Sequence, residues 1–114
     1  MKVKSWVAHP LEEAETGRVH VYGVAFGGIN GLQKVEVSTD GGKVWHEARL
    51  VGPELGTFAW RPFVFAAHLK SGTYEVASRA TDSEGRVQEE VTEPNHRGYD
   101  YSGWRRLAVH VTVL

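Results

Sequence analysis

The sequence predicts an all-β protein, an immunoglobulin-like antiparallel β-sandwich of about seven strands. Most of the chain alternates apolar and polar residues with a period of two, as half-buried strands do. Clusters of Gly, Asp, Ser and Asn interrupt these segments at short intervals and indicate turns. No long stretch shows the 3.6-residue period and capping residues of a helix. A small barrel of short strands remains the alternative architecture.

The first third of the chain predicts two strands. Residues 6–9 are weakly strand-like, and "PLEEAE" (10–15) is predicted to be a loop or a single helical turn. The alternation is clearest in "RVHVYGVAF" (18–26), where small and β-branched residues form one face. That face consists of Val19, Val21, Gly23 and Ala25, and the opposite face of His20, Tyr22, Val24 and Phe26.

The segment "VEVSTDGGKVWHEARL" (35–50) predicts a hairpin. Alternation runs to Ser38, stops at an Asp and two glycines, and resumes before a Trp. We expect Asp40, Gly41 and Gly42 to form the turn, and Trp45 to pack beneath it. These four residues have a structural role and carry no chemistry.

The second half of the chain predicts three further strands and one long loop. "FVFAAHL" (63–69) is apolar on both faces, which predicts a strand buried on both sides, and alternating strands are predicted at 73–80 and 106–114. Asp82 in "RATDSEG" is a predicted turn former. The polar and aromatic stretch 86–105 fits no simple strand, and long loops of this kind are typical of functional or interface segments.

Composition limits the possible functions. A length of 114 residues predicts a single domain covering 1–114. The net charge of -1 gives no support for a nucleic-acid or anionic-membrane partner, and no apolar run is long enough for a membrane helix. The N-terminal residues lack the apolar core of a signal peptide. The absence of cysteine excludes disulfides, thiolate metal ligands and a cysteine nucleophile.

Motifs for an independent active site are missing. The six histidines show no HxH, HxxxH or HExxH spacing, so they are interpreted as solvent-facing or interface residues rather than zinc ligands. The glutamates cluster as solvated charge, and no nucleophile or phosphate-binding motif occurs. Arg97 in "PNHRGY" is the residue best suited to bind an oxyanion, with a structural role as the alternative.

Four segments together resemble a known family. The hairpin alone is similar to the Asp-box of sialidase-type propellers, but a propeller would repeat it in every blade. Taken in order, "SWVAHPLEEAETGRVHVYGVAFGG", the hairpin, "SGTYEVASRATDSEGRVQ" and "PNHRGYDYSGWRRLAVHVTV" resemble the C-terminal dimerisation domain of sulfite oxidase-type molybdenum-cofactor oxidoreductases. The resemblance runs from Ser5 to Val113. It departs at Glu89, where the family often has Pro, and after the R-G-aromatic segment, where it often has Asn.

The resemblance implies an immunoglobulin-like domain of the E-set type that pairs two subunits and accompanies a separate molybdopterin domain. In the family a cysteine thiolate binds the molybdenum, and this chain has none, so we expect it to bind no cofactor or metal itself. An arginine of the family's N-x-R-G segment reaches the anion pocket near the molybdenum. The matching residue is Arg97, which is therefore expected to contact sulfite or a related anion.

The sequence thus predicts an accessory dimerisation domain or subunit that is not an enzyme alone. The expected partners are a second copy and a molybdenum-cofactor domain, in the same chain or in another, and no nucleic acid or membrane. The family implies a periplasmic or exported parent enzyme in bacteria. The alternative is a carbohydrate- or protein-binding module of a larger secreted protein, using aromatics such as Tyr22 and Phe26. A metal-dependent enzyme built on the histidines is a third hypothesis.

Overall fold

Two β-sheets pack face to face in the computed structural model, which describes residues 3–10, 12–27, 31–52, 60–90 and 103–114. Within these residues the chain forms nine strands and a single helical turn, α1. The elements in chain order are β1 (Lys4–His9), β2 (Glu13–Ala14), β3 (Gly17–Phe26), β4 (Leu32–Ser38), β5 (His46–Glu47), β6 (Arg49–Leu50), β7 (Arg61–Leu69), β8 (Gly72–Asp82), α1 (Trp104–Leu107) and β9 (Val109–Val113).

The strands divide into a four-stranded and a five-stranded sheet. The first has the order β1-β3-β7-β6 and is antiparallel throughout. The second has the order β2-β9-β8-β4-β5, and its only parallel pair among the described strands is β2 with β9. The predicted all-β, immunoglobulin-like sandwich is therefore confirmed.

The core lies between the sheets and follows the alternation of the sequence. In β3 the predicted inner residues are buried, and Val21 and Ala25 are fully so. Val35 and Val37 of β4 face them from the other sheet, with Phe63 of β7 the largest fully buried side chain. Burying branched and aromatic side chains on both inner faces supplies the main favourable free energy of folding.

The prediction of a loop or single turn for residues 10–15 was wrong at Glu13 and Ala14. Glu13 and Ala14 form a short strand that pairs in parallel with β9, and backbone hydrogen bonds extend the pairing on both sides. The N–H of Thr112 donates to the carbonyl of Glu12 at 2.8 Å, and that of Leu114 to Ala14 at 3.0 Å. A two-residue strand has no detectable period, and it forms because β9 offers an unpaired edge.

The last predicted strand begins later than its sequence pattern indicated. Residues 104–107 form one helical turn, and the strand starts at Val109. The apolar residue at position 107 continued the alternation by coincidence, so periodicity could not locate this boundary.

The prediction that β7 is buried on both faces was also wrong. Its inner residues Phe63, Ala67 and Leu69 are buried, whereas Pro62 and Ala66 on the other face are exposed. Among the described residues no element covers this second face. The aliphatic residues of β7 therefore form part of an apolar outer surface, and the strand is not covered on both faces.

No helix in the described part of the chain is long and apolar enough to cross a bilayer.

Candidate functional site

The turn between β4 and β5 is stabilised by side-chain hydrogen bonds. The Ser38 hydroxyl donates to Oδ1 of Asp40 at 2.7 Å, and the same oxygen accepts from the backbone N–H groups of Lys43 and Val44 at 3.0 and 3.1 Å. The N–H of Gly42 donates to the Ser38 hydroxyl at 2.9 Å. One carboxylate and one buried hydroxyl thus satisfy the backbone donors that the turn would otherwise leave free.

These donors stabilise the ionised form of Asp40. The hydrogen bond from Ser38, followed by those from the backbone N–H groups, lowers the pKa of the carboxyl below its ordinary value of 3.8. The carboxylate is therefore ionised at neutral pH and acts as a fixed acceptor within the turn.

The two glycines of the turn adopt conformations that other residues rarely do. Gly41 has φ +75° and Gly42 has φ +93°. A Cβ on Gly42 would lie 2.4 Å from Cη2 of Trp104. The missing side chain therefore lets the indole of Trp104 lie directly against the turn.

Two indoles and two guanidinium groups stack beside this turn and form what we call the indole–guanidinium layer (Trp45, Arg79, Trp104 and Arg105). The rings of Trp45 and Trp104 meet edge to face with centroids 4.9 Å apart. Cζ of Arg79 lies 4.3 Å from the Trp45 centroid, and Cζ of Arg105 lies 4.7 Å from that of Trp104. Each guanidinium is within the range of a cation–π interaction.

Arg105 joins three parts of the chain through its three guanidinium nitrogens. Nε donates to a carboxylate oxygen of Glu90 at 2.6 Å, Nη1 to one of Glu75 at 3.1 Å, and Nη2 to the carbonyl of Gly41 at 3.0 Å. The turn, strand β8 and the residues before position 91 are thereby held to α1. We call Arg105 with Gly41, Glu75 and Glu90 the Arg105 clamp.

The clamp lies at the base of the segment 91–102. The N–H of Trp104 donates to the carbonyl of Glu89 at 2.9 Å, and the N–H of Arg105 to that of Glu90 at 3.0 Å. The residues on either side of the segment are therefore joined to each other by backbone hydrogen bonds. Arg97, the predicted anion-binding residue, belongs to this segment and lies outside the described residues.

A buried polar junction fixes the chain that enters this segment. The Gln88 side-chain oxygen accepts from the Ser5 hydroxyl at 2.7 Å and from the N–H of Ala80 at 3.1 Å, while its amide nitrogen donates to the carbonyl of Ser5 at 3.2 Å. The hydroxyls of Ser5 and Ser78 are 2.9 Å apart. The junction connects β1 and β8 to the loop after β8 in an otherwise apolar interior, where unpaired polar groups would be costly.

Asp82 is confirmed as a turn former. Its Oδ1 accepts from the N–H groups of Glu84 and Arg86 at 3.0 and 2.8 Å. Gly85 provides the positive φ of +84° in the same turn. The turn directs the chain back toward Gln88 and so contributes to the placement of the clamp.

Asp40, Gly41 and Gly42 form the turn, and the site also contains residues that sequence reasoning missed. The indole against Gly42 belongs to Trp104, and the rings of Trp45 and Trp104 meet edge to face. Glu75 and Arg105 are also new, and their partners lie too far away in sequence for local patterns to reveal. The only feature of the sequence that could have indicated this contact was the Gly-Gly pair of the turn together with a distant Trp-Arg pair.

The histidines do not assemble a site. Those within the described residues are exposed, and His96 lies outside them. In the described part of the chain no group of three or more His, Cys, Asp or Glu side chains could hold a metal ion. The row of exposed aromatics expected of a binding module is incomplete, because Phe26 is only 3% exposed and packs against Trp60, with ring centroids 5.0 Å apart.

Comparison with known proteins identifies a family for the whole domain. A family model described as the Mo-co oxidoreductase dimerisation domain matches residues 1–112. Mitochondrial sulfite oxidase of Rattus norvegicus is 33% identical over 124 aligned positions, which cover 100% of this chain and 22% of that protein. Sulfite oxidase of Arabidopsis thaliana is 31% identical, covering 89% of this chain and 29% of that protein.

A solved structure agrees with the sequence comparisons. The crystal structure of the sulfane dehydrogenase SoxCD from Paracoccus pantotrophus superposes with a TM-score of 0.71 and 30% identity, over 78% of this chain and 24% of that chain. The chain thus spans less than a third of the length of these relatives.

Proposed function

The chain belongs to the family of Mo-co oxidoreductase dimerisation domains, and we propose that it pairs two subunits of an oxidoreductase that acts on sulfite or a related sulfur anion. The match of the family model to residues 1–112 carries this proposal. The names of the relatives support a sulfur anion as substrate, because they include sulfite oxidases and a sulfane dehydrogenase. The proposal treats residues 1–114 as one domain. It also includes export of the parent enzyme if that enzyme is bacterial.

The residues of this chain do not fit the molybdenum cofactor. The chain contains no cysteine, so it offers no thiolate ligand, and its described residues include no cluster of metal-binding side chains. In the proposed enzyme the cofactor is therefore held by another domain, in the same chain or in a partner chain. This domain supplies pairing and the segment that carries Arg97.

We infer that Arg97 contacts the anionic substrate. Its guanidinium is permanently charged and presents a planar set of donors that matches two oxygens of a sulfur oxyanion. The residues that flank the 91–102 segment are joined by backbone hydrogen bonds and by the Arg105 clamp, which fixes where the chain leaves and re-enters the described part of the domain. A charged group is useful in such a pocket only if it reaches the substrate reproducibly.

The subunit-pairing proposal is tested by the mass of the purified chain in solution. The chain is 12.7 kDa, and a closed two-fold dimer doubles this value. We expect sedimentation equilibrium at micromolar concentrations to report the dimer. A monomer throughout the micromolar range would contradict the proposal.

The Arg97 proposal is tested in the enzyme that carries the cofactor domain. We expect Arg97→Gln to raise KM for sulfite by about tenfold to a hundredfold, since a charged hydrogen bond to the substrate is lost. The control is Arg86→Gln, which removes an exposed arginine of the same loop region. Equal KM values for the two variants, at equal molybdenum content, would exclude a contact between Arg97 and the substrate.

A further inference from the structure

The outer face of the β1-β3-β7-β6 sheet has an apolar centre. The strand register places two rows across it, in which Trp6 is opposite Val24 and Tyr22 is opposite Val64. Tyr22 is 46% exposed, and Trp60, whose ring centroid lies 5.0 Å from that of Trp6, is 42% exposed. Exposed Trp and Tyr are enriched among the residues that dominate the binding energy of protein interfaces.

Basic side chains lie at both ends of this centre. At one end Lys4 shares the outward face of β1 with Trp6, and its Nζ lies 5.5 Å from the centroid of that ring. At the other end Arg18 and His68 are opposite each other on β3 and β7, and both are exposed. The fixed positive charges of Lys4 and Arg18 therefore lie on either side of the apolar rows along the strand direction.

Basic side chains also lie at both edges of the central row. On β1, His9 is aligned with Tyr22 and stacks on it, with ring centroids 4.9 Å apart. On β6, Arg49 is opposite Val64 and is exposed. We call this surface the basic-rimmed face. Its centre consists of Trp6, Tyr22, Val24, Trp60 and Val64, and its rim of Lys4, His9, Arg18, Arg49 and His68.

The strands of this face carry no carboxylate, although the chain contains 14 Asp and Glu residues. The sequences of β1, β3, β6 and β7 include neither residue type. Beside the face, Glu15 lines a groove of about 320 Å³ together with His9, Arg18 and His20, so basic groups outnumber the carboxylate there. The face therefore attracts carboxylates, and it would repel a second copy of itself because two basic rims would meet.

The size of the basic-rimmed face fits a small, transient contact. Strand β1 has 6 residues, β3 has 10, β6 has 2 and β7 has 9. At about 3.4 Å per residue and about 4.8 Å between strands, they cover roughly 400 to 500 Å². This area is below the roughly 800 Å² that each partner buries in a stable interface, and it falls in the range of transient encounters. In such contacts complementary charge speeds association and selects the partner.

The arrangement of the rim favours a protein as partner over a nucleic acid or a membrane. The outward fixed charges of the four strands are those of Lys4, Arg18 and Arg49, and the apolar centre separates them. Surfaces that bind lipid headgroups or nucleic acids instead cluster roughly four to eight Lys and Arg residues or belong to strongly basic domains. This chain has a net charge of -1. An apolar centre within a polar rim is the usual anatomy of a protein interface.

We propose that the basic-rimmed face docks an acidic protein surface, in which carboxylates surround an apolar centre, on a partner other than a second copy of this chain. The partner's carboxylates pair with Lys4, Arg18 and Arg49, while its apolar side chains cover Tyr22 and Trp60. This inference goes beyond subunit pairing. The pairing proposal rests on the family match and this one on the charge and register of one sheet face, so either can fail alone.

The test uses two copolymers of opposite charge as probes of the 114-residue chain. A random copolymer of glutamate and tyrosine presents carboxylates beside apolar rings, and a copolymer of lysine and tyrosine is its matched control. Neither contains tryptophan, so the fluorescence of the chain's own indoles, including the exposed ring of Trp60, reports binding. We expect the glutamate copolymer to bind with a micromolar dissociation constant that rises about tenfold between about 0.05 and 0.5 M salt, and the lysine copolymer not to bind.

Two substitutions locate the contact on the basic-rimmed face. Arg49→Glu reverses a rim charge, and we expect it to raise the dissociation constant at least about tenfold. Its control is Arg86→Glu, which makes the same change in net charge at an exposed arginine after β8. Tyr22→Ser removes a ring from the centre, and we expect a rise of about fivefold or more. Its control is Val44→Ser, at a side chain that is 51% exposed between β4 and β5. Circular dichroism checks folding, and Arg18→Glu replaces Arg49→Glu if that variant does not fold.

Every other outcome overturns the proposal. Equal binding of the two copolymers, equal effects of test and control substitutions, or no binding of the glutamate copolymer up to about 1 mM would each do so. Tighter binding of heparin or of phosphatidylserine vesicles, with the same dependence on Arg49, would assign the face to a polysaccharide or a membrane. A chain dimer weakened by Arg49→Glu would assign it to subunit pairing. Loss of copolymer binding in the enzyme that carries the cofactor domain would assign it to that domain.

Discussion

Asp40 shows how a single residue sets the local structure on which the site depends. One carboxylate oxygen receives the Ser38 hydroxyl and two backbone N–H groups, which fixes the turn against the indole–guanidinium layer. The sequence identified Asp40 and the two glycines because turn chemistry is local. It did not identify Trp104 as the ring beside the turn, since that contact joins residues far apart in the chain.

The depressed pKa of Asp40 predicts a pH-dependent contribution to stability. A carboxyl with a lower pKa in the folded state stabilises the fold above its unfolded pKa, and this contribution is lost as the pH falls through the folded value. We expect Asp40→Asn to reduce the free energy of unfolding by about 1 kcal/mol at pH 7, because its amide oxygen is a weaker acceptor. Urea unfolding from pH 7 down to pH 3 measures the difference.

The difference between the two proteins is expected to be constant down to about pH 4 and then to shrink. Glu47→Gln is the control, since it removes an exposed carboxylate from the neighbouring strand β5. A difference from Asp40→Asn that stays constant below pH 4 would show that the charge of Asp40 does not stabilise the turn.

At the scale of elements, the site is formed by the meeting of a hairpin, strand β8 and a helical turn. Alternation predicted the hairpin because β4 buries one face against the core, and it located β8 although that strand buries residues of both faces, such as Val76 and Ala77. It could not predict α1 or β2, because each is only about one period long and is stabilised by tertiary hydrogen bonds. Phe26 was expected on an exposed face, and Trp60 covers it from outside the strand.

The contact between the hairpin turn and α1 can be tested by adding one methyl group. Gly42→Ala places a Cβ against Trp104 and also strains a backbone with φ +93°. We expect the free energy of unfolding to fall by about 3 kcal/mol, of which about 1 to 2 kcal/mol is backbone strain. Thermal or urea unfolding gives the total.

Gly85→Ala separates the two costs. Gly85 has a similar φ of +84°, but an added Cβ there meets nothing within 4 Å. We therefore expect Gly85→Ala to lower the free energy of unfolding only by the contribution of backbone strain. Equal losses for the two variants would mean that Trp104 does not pack closely against the turn in solution.

At the scale of the whole molecule, the two sheets have different surfaces around one shared core. The four-stranded sheet presents apolar and basic side chains, and the five-stranded sheet presents ion pairs and stacked rings. The all-β fold was predictable because a period of two reflects burial on one side of a sheet. The different surfaces of the two sheets were harder to predict. An apolar outer face and burial on both faces would give β7 the same composition.

The joined ends of the 91–102 segment have a consequence for how this domain can diversify. Backbone hydrogen bonds between positions 89–90 and 104–105 and the three donors of Arg105 close the chain before and after the segment. Because these closing contacts lie outside the segment, a change in its length costs the sandwich little free energy through loop entropy. Under the proposed function, the substrate contact of Arg97 belongs to this segment, whereas the contacts that close its two sides belong to the constant frame of the domain.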